Sequence, residues 1–286
     1  MPINPVFQRL GLLTGVRGLD ALAEARVIVF GLGGVGGWCA EALVRSGIGN
    51  ISIVDSDTVC VTNINRQVQA TMGTIGLSKA EALRTRLLDI NPRCHVTAFD
   101  RVFSRETASI FGISRGVYVI DAIDSLTHKL DLIELCTEGG AILFSSMGMA
   151  QKLDPTRLKT ADIWETAGCP LARLVRQGLR KRGYRGRFTV VYSTERLPRH
   201  GEIAPACGSG LCLCPSRRQG TEGPPAGCPA AETVKQGAES TAFPVEWCSS
   251  KKVINGSAVT VTAGAGMILA SLAIRNICFP GEGRSP

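Results

Sequence analysis

Apolar and polar positions repeat in one order along the first 150 residues. A short β-branched or aliphatic run is followed by a longer stretch with apolar residues every three or four positions. The apolar run 27–30 reads as a buried strand, and the pattern carrying Trp38, Leu43 and Val44 reads as a helix that Gly47 and Gly49 break. Residues 51–55 predict a second strand and 77–90 a second helix, stopped by Asn91-Pro92. A third strand is expected over 95–99, a short helix over 104–112, a fourth strand over 116–121, a helix over 127–137 and a fifth strand over 141–145. This strand–helix alternation predicts an α/β fold: a Rossmann-like, doubly wound, mainly parallel sheet with ligands at its carboxyl edge.

The remaining chain is less regular. A short strand is expected within 158–166, a basic helix after Cys169-Pro170, a strand over 187–193 and an apolar closing helix over 257–278. Residues 1–25 read as an amphipathic lead-in whose apolar face is Phe7, Leu10, Leu12, Leu13, Leu19 and Leu22. The expected organisation is one domain over 1–286, with a nucleotide-binding core at 1–150 and an irregular C-terminal part at 151–286. The Gly-, Pro- and Ser-rich stretch 201–250 reads as a flexible insertion.

Composition narrows this picture. Of 286 residues, 44% are hydrophobic and 20% charged, enough for a sizeable core. The net charge of +8 permits an anionic partner without demanding one. Eleven cysteines, with neither a basic n-region nor a sustained apolar core in residues 1–13, predict reduced thiols and a cytoplasmic location. Cys207, Cys212, Cys214, Cys228 and Cys248 lack the paired C-x-x-C spacing of a zinc ribbon. The uncharged stretch 257–274 reads as a buried helix, and no membrane association is expected.

The chemistry begins at Gly31-Leu32-Gly33-Gly34-Val35-Gly36, a G-x-G-x-x-G run between strand and helix. Gly31, Gly33, Gly34 and Gly36 let backbone approach a phosphate, and the first helical N–H groups point at it. Asp55, at the second strand's carboxyl end, is placed to accept ribose hydroxyls, or is an ordinary strand-end carboxylate. Lys79 in a helix's first turn is electrostatically misplaced, which predicts negative charge nearby. Asp121 and Asp124 end the fourth strand; beside a triphosphate they suggest Mg²⁺, and the other reading is that Asp124 or Ser125 caps the next helix. Together with Arg66 they point away from hydride transfer and toward attack on a phosphate of ATP. Arg173, Arg176, Arg180, Lys181, Arg182, Arg185 and Arg187 form the densest positive run, either a polyanion contact or a solvated helix face.

Five motifs in order carry a family resemblance: the glycine run, Asp55-Ser56-Asp57, Asn63-Ile64-Asn65-Arg66-Gln67, Gly76-Leu77-Ser78-Lys79 and Asp121-Ala122-Ile123-Asp124. They resemble the adenylation domain of the ubiquitin-activating-enzyme-like (ThiF/MoeB/HesA) superfamily. Ser46-Gly47-Ile48-Gly49, Lys152-Leu153-Asp154-Pro155-Thr156 and Pro170-Leu171-Ala172 are similar to its tRNA threonylcarbamoyladenosine dehydratase branch. The resemblance implies ATP-Mg²⁺-dependent adenylation of the carboxylate of N6-threonylcarbamoyladenosine in tRNA, followed by cyclisation with loss of water. It implies Asp124 on Mg²⁺, Arg66 and Lys79 on phosphates, and Asp55, Asp57, Asn63 and Asp121 around the nucleotide. It also implies a homodimer in which Arg9 reaches the nucleotide of the other subunit, and tRNA backbone along 173–187. Glu165 stands where the branch usually has lysine. The competing readings are activation of a ubiquitin-like sulfur-carrier protein, an NAD-dependent oxidoreductase, and a non-enzymatic nucleotide-binding module.

Overall fold

The computed structural model describes residues 4–196 and 255–281. The stretch 201–250 and its five cysteines lie outside the described residues.

Four consecutive apolar residues make Arg26–Phe30 (β1) a strand buried on both faces, as a central parallel strand must be. β1 pairs in parallel with Asn50–Val54 (β2) on one side and Tyr118–Asp121 (β4) on the other. His95–Phe99 (β3) extends the β2 side. Ile142–Ser146 (β5) pairs with β4, and Thr189–Ser193 (β7) with β5. Leu158–Asp162 (β6) closes that edge as the one antiparallel strand among the described residues. The sheet order is β3-β2-β1-β4-β5-β7-β6. The order reverses between β1 and β4, so the loops leaving those two strands open a crevice at the carboxyl edge. This is the expected α/β, mainly parallel architecture.

Helices cover both faces. Gln8–Glu24 (α1), Gly36–Arg45 (α2), Lys79–Ile90 (α3) and Val259–Cys278 (α6) pack on one face around Leu43, Leu83 and Leu269. Leu126–Gly139 (α4) and Pro170–Lys181 (α5) pack on the other around Ile133 and Val175. Pro170 starts α5 at a position where its missing N–H costs nothing.

Two expectations need correction. The helix expected over 104–112 is only a 3-10 turn, Ala108–Phe111. It sits in a Phe30, Phe99, Phe103 and Phe111 cluster, so aromatic packing and not helix length closes this crossover. The apolar face of α1 is split. Leu22 is buried, but Leu12 and Leu13 are 83% and 78% exposed, because the backbone breaks at Gly15 (φ 69°) and turns that stretch outward. The polar loop after β2 folds into two 3-10 turns, Val61–Asn63 and Met72–Thr74.

Among the described residues α6 is the helix long and apolar enough to cross a membrane. Here it lies in the protein core, with Val261, Ala265, Leu269 and Ala273 fully buried. Gly266 lets it approach α2 closely, since a Cβ there would lie 2.5 Å from the Val35 carbonyl oxygen. Backbone has little freedom to yield at that contact. Gly266→Ala is therefore expected to cost about 1–3 kcal/mol of stability, read as a lowered urea midpoint at unchanged slope.

Candidate functional site

The crevice floor is the turn from β1 to α2. Gly31 has φ 84°, and a Cβ on it would lie 2.6 Å from the Ala122 carbonyl oxygen. Only glycine meets both conditions. The turn is thus pressed against the loop after β4. Both backbone polar groups of Leu32 are held by side chains: its N–H donates to Asp55 Oδ2 (2.6 Å), and Gln69 Nε2 donates to its carbonyl oxygen (2.6 Å). The next three N–H groups, of Gly33, Gly34 and Val35, donate to no described residue. A Cβ at Gly33 would meet nothing within 4 Å. Three unused donors before a helix N-terminus, over open space, form an anion cradle.

One cation borders this cradle and a second is linked to it through Asp55. Arg66 lies beside Gly34, where an added Cβ would come within 3.2 Å of Arg66 Cγ. Its Nη1 donates to the Thr62 carbonyl (2.7 Å) and to Asn65 Oδ1 (3.1 Å), and its own carbonyl accepts from Trp38 Nε1 (3.0 Å). Burial lowers the pKa of this guanidinium. Lys79 is buried at the start of α3, with Nζ 2.6 Å from Asp57 Oδ2 and 4.0 Å from Asp55 Oδ1. The negative charge expected around the misplaced lysine is present as these two carboxylates. Asp55 also accepts from the Asp57 N–H (2.9 Å). Burial raises the Asp55 pKa from its ordinary value, and the Lys79 charge opposes that rise.

Asp124 is exposed in the loop between β4 and α4, two residues beyond the Ala122 contact with Gly31. Ser125 is the N-cap residue of α4, without a side-chain capping bond. From α6, Thr262 borders Gly34 (an added Cβ would lie 3.1 Å from Thr262 Cβ), and Asn65 Nδ2 ties its loop to the Ser257 carbonyl (3.0 Å).

Other expected site residues are elsewhere. Asp121 is fully buried; its carboxylate accepts from Lys129 Nζ (2.7 Å), Ser145 Oγ (2.6 Å) and the Ile123 N–H (3.1 Å). It faces the protein interior, and the cation there is Lys129. Asn63 is buried, and its Oδ1 accepts from the Cys60 N–H (3.0 Å), closing its own turn. Arg9 is exposed on α1, and none of the ion pairs among the described residues includes it. The basic run is partitioned. Arg182 pairs with Asp131 and Glu134, Arg187 with Asp162 and Glu165, Arg176 bonds Thr166, and Arg180 lies 5.5 Å over the Trp164 ring. Arg173, Lys181 and Arg185 remain exposed and outside these pairs.

Motifs in the sequence give no sign of Gln69 or Thr262. A glutamine among Val68 and Ala70 carries no motif signal, and Thr262 reaches the turn only through tertiary packing. The described cysteines are unpaired thiols; burial pushes Cys94 up to about 11 and raises Cys39 and Cys136 further. Lys152 and the Leu153 and Asp154 N–H groups are anchored to Glu195, which fixes the Lys152–Thr156 stretch near the crevice side of β7.

An open parallel sheet with an anion cradle and two cations at its switch point defines a nucleotide-binding α/β protein. The chain belongs to the ThiF family, whose sequence profile matches residues 7–281. It is 43% identical over 189 residues to the tRNA threonylcarbamoyladenosine dehydratase of Bacillus subtilis, covering 66% of this chain and 74% of that one. It is 40% identical over 192 residues to the Escherichia coli protein of the same name, covering 65% and 72%. The crystal structure of the E. coli tRNA N6-threonylcarbamoyladenosine dehydratase in complex with ATP superposes with a TM-score of 0.72 at 30% identity, covering 97% of both chains.

The Asp121–Lys129 pair, both 0% exposed, holds the β4 loop that carries Asp124. Lys129→Met is expected to lose about 3–5 kcal/mol, because Asp121 is left charged and buried. Asp121→Asn with Lys129→Met should recover part of that loss; urea unfolding of the two variants measures both effects.

Proposed function

We propose that this chain binds ATP over the 31–36 turn and catalyses the ATP-dependent cyclising dehydration of N6-threonylcarbamoyladenosine in tRNA. The observation that carries the reading is the set of N–H groups of Gly33, Gly34 and Val35 without a described acceptor, with Arg66 beside Gly34 and Lys79 linked to the turn through Asp55. The likeness to dehydratases at 40–43% identity and to an ATP-bound structure over 97% of the chain supports it.

In this reading a carboxylate oxygen of the substrate attacks the α-phosphorus of ATP. The bond to the bridging oxygen breaks, pyrophosphate leaves, and an acyl-adenylate forms. A nucleophile of the same modified side chain then attacks the acyl carbon, its proton is lost, the ring closes, and AMP departs. The turn amides hold phosphate oxygens. Arg66 and Lys79 meet the charge that develops on them. Lys79 exchanges part of its Asp57 contact for phosphate, which leaves Asp57 beside the nucleotide. Asp55 has remaining lone pairs for ribose hydroxyls while it holds the Leu32 N–H. The exposed carboxylate of Asp124, on the carboxyl edge beside the cradle, is a donor of the hard-oxygen type that Mg²⁺ takes. Bound there, Mg²⁺ would neutralise phosphate charge and orient the leaving group.

We place the tRNA backbone along α5 at Arg173, Lys181 and Arg185, the basic side chains outside ion pairs. A homodimer is consistent with the exposed Leu12, Leu13 and Val16 on α1 beside an apolar groove of about 420 Å³ lined by Leu10, Leu13, Met267 and Phe279. Arg9 on the same helix would then be free to reach a neighbouring site. The cytoplasm suits the reduced thiols. A carrier-protein partner belongs to the rival reading, which would take Cys169 or Cys248 as a thioester site; Cys169 is buried, and Cys248 lies outside the described residues.

Incubation with ATP, Mg²⁺ and tRNA bearing the modification should lower the nucleoside mass by one water; an unchanged mass in an active preparation refutes the reading. Gly33→Val should fold normally yet bind ATP at least about tenfold more weakly by calorimetry, since the side chain fills the cradle. Asp124→Asn should lower turnover by about a hundredfold or more with ATP affinity less affected, read in single-turnover assays. Replacing Arg173, Lys181 and Arg185 by Gln should flatten the dependence of log tRNA affinity on log salt by about one for each phosphate no longer neutralised.

A further inference from the structure

The other end of the sheet carries a second cluster that the adenylation chemistry does not use. On the α4/α5 face, β1, β2 and β3 present three aligned rows of side chains, fixed by the parallel register. The row at the carboxyl end is Phe30, Val54 and Phe99, covered by the Phe103 and Phe111 rings. The middle row is Ile28, Ser52 and Thr97, and the amino-end row is Arg26, Asn50 and His95. The short crossover through Ala108–Phe111 covers only the first of these rows. The other two line an open pocket of about 220 Å³.

Its lining has one guanidinium, one imidazole, two hydroxyls and one carboxamide, and no carboxylate. Among the described residues Arg26 makes no ion pair. Its guanidinium reaches onto this face, where a Cβ on Gly112 would lie 3.4 Å from Arg26 Nη2. His95 Nε2 lies 3.4 Å from Thr97 Oγ1, and Asn50 Nδ2 points to the Ala23 carbonyl at 3.4 Å. A sheet face in a doubly wound fold is ordinarily apolar and covered by a helix. Here Ile28 is buried, but the five polar side chains of these two rows, on β1, β2 and the edge strand β3, present hydrogen-bond donors around a cation, and no helix among the described residues covers the pocket that they line.

We propose that this pocket is a phosphate-binding site, separate from the ATP crevice and at the opposite edge of the sheet. Arg26 supplies the charge and a planar pair of N–H donors suited to phosphate oxygens. Ser52 and Thr97 donate hydroxyl hydrogens, and the His95 ring donates from the exposed rim. The occupant is a phosphate group, carried either by a small free anion or by a polynucleotide backbone.

The site is tested on the full chain by NMR, with the ring signals of His95 assigned through a His95→Gln variant. Titration with inorganic phosphate should shift the His95 ring signals to saturation. Arg26→Gln should weaken that response by about tenfold or more while ATP affinity stays unchanged. Ser52→Asp, which places a carboxylate in the pocket, should abolish it. A second arm measures unmodified tRNA binding against salt concentration. A salt slope lowered by about one in Arg26→Gln assigns the occupant to a backbone phosphodiester; an unchanged slope with the NMR response retained assigns a free anion. The proposal is overturned if His95 does not respond to phosphate, or responds equally in wild type and Arg26→Gln. Because the readout is a ring signal remote from the ATP crevice, this outcome is independent of whether the tRNA nucleoside loses water.

Discussion

Everything at the site depends on how the Leu32 peptide groups are held. The Asp55 carboxylate takes the N–H from one side, and the Gln69 carboxamide gives a hydrogen to the carbonyl from the other, both at 2.6 Å. A hydrogen bond to a charged group contributes about 1.5–3 kcal/mol net, more than a neutral one. With that residue fixed, the chain has one route into α2, and the following three N–H groups face out. Asp55 is costly to bury, and its raised pKa records that cost. The Leu32 and Asp57 N–H groups and the nearby Lys79 charge offset it. The same carboxylate that shapes the phosphate floor therefore also orders the cation beside it.

The surrounding fold converges on this turn from distant parts of the chain. β4 delivers Ala122 against Gly31, the 61–70 loop delivers Arg66 and Gln69, and α6 delivers Thr262. α6 comes from nearly the end of the sequence and packs on α2 through Gly266, directly behind the turn. The Asp121–Lys129 pair belongs to the same support. It is fully buried and carries no exposed chemistry, yet its carboxylate also accepts the Ile123 N–H, which sets the path of the chain into Asp124. Breaking either partner leaves an uncompensated charge in a dry interior, so the arrangement tolerates little variation.

The strand–helix order and the glycine turn were legible because they rest on local signals: β-branched runs, periodic apolar positions and glycines spaced between strand and helix, of which Gly31 takes the positive φ. Arg66, Lys79 and Asp124 were legible from motif order. What escaped depends on tertiary partners. Asp121 and Asp124 look alike in sequence, three residues apart, and only the placement of Lys129 sends one inward. Asn63 reads as a ligand residue in sequence, and the turn that its Oδ1 closes shows only once the Cys60 N–H is placed. Leu12 and Leu13 read as core until the break at Gly15 turns them out. The basic run 173–187 reads as one patch, whereas four of its members are engaged by carboxylates, a hydroxyl or the Trp164 ring. Gln69 had no signal, because a buried glutamine is defined by the backbone group that it meets.

The central claim is that the cradle and its two cations direct a carboxylate oxygen onto the α-phosphorus of ATP. Isotope transfer tests this most directly. With ¹⁸O in the carboxylate of the tRNA-borne threonylcarbamoyl group, one turnover should place one ¹⁸O atom in AMP and none in pyrophosphate. Label appearing in inorganic phosphate, with ADP as the nucleotide product, would show attack on the γ-phosphorus and contradict the account.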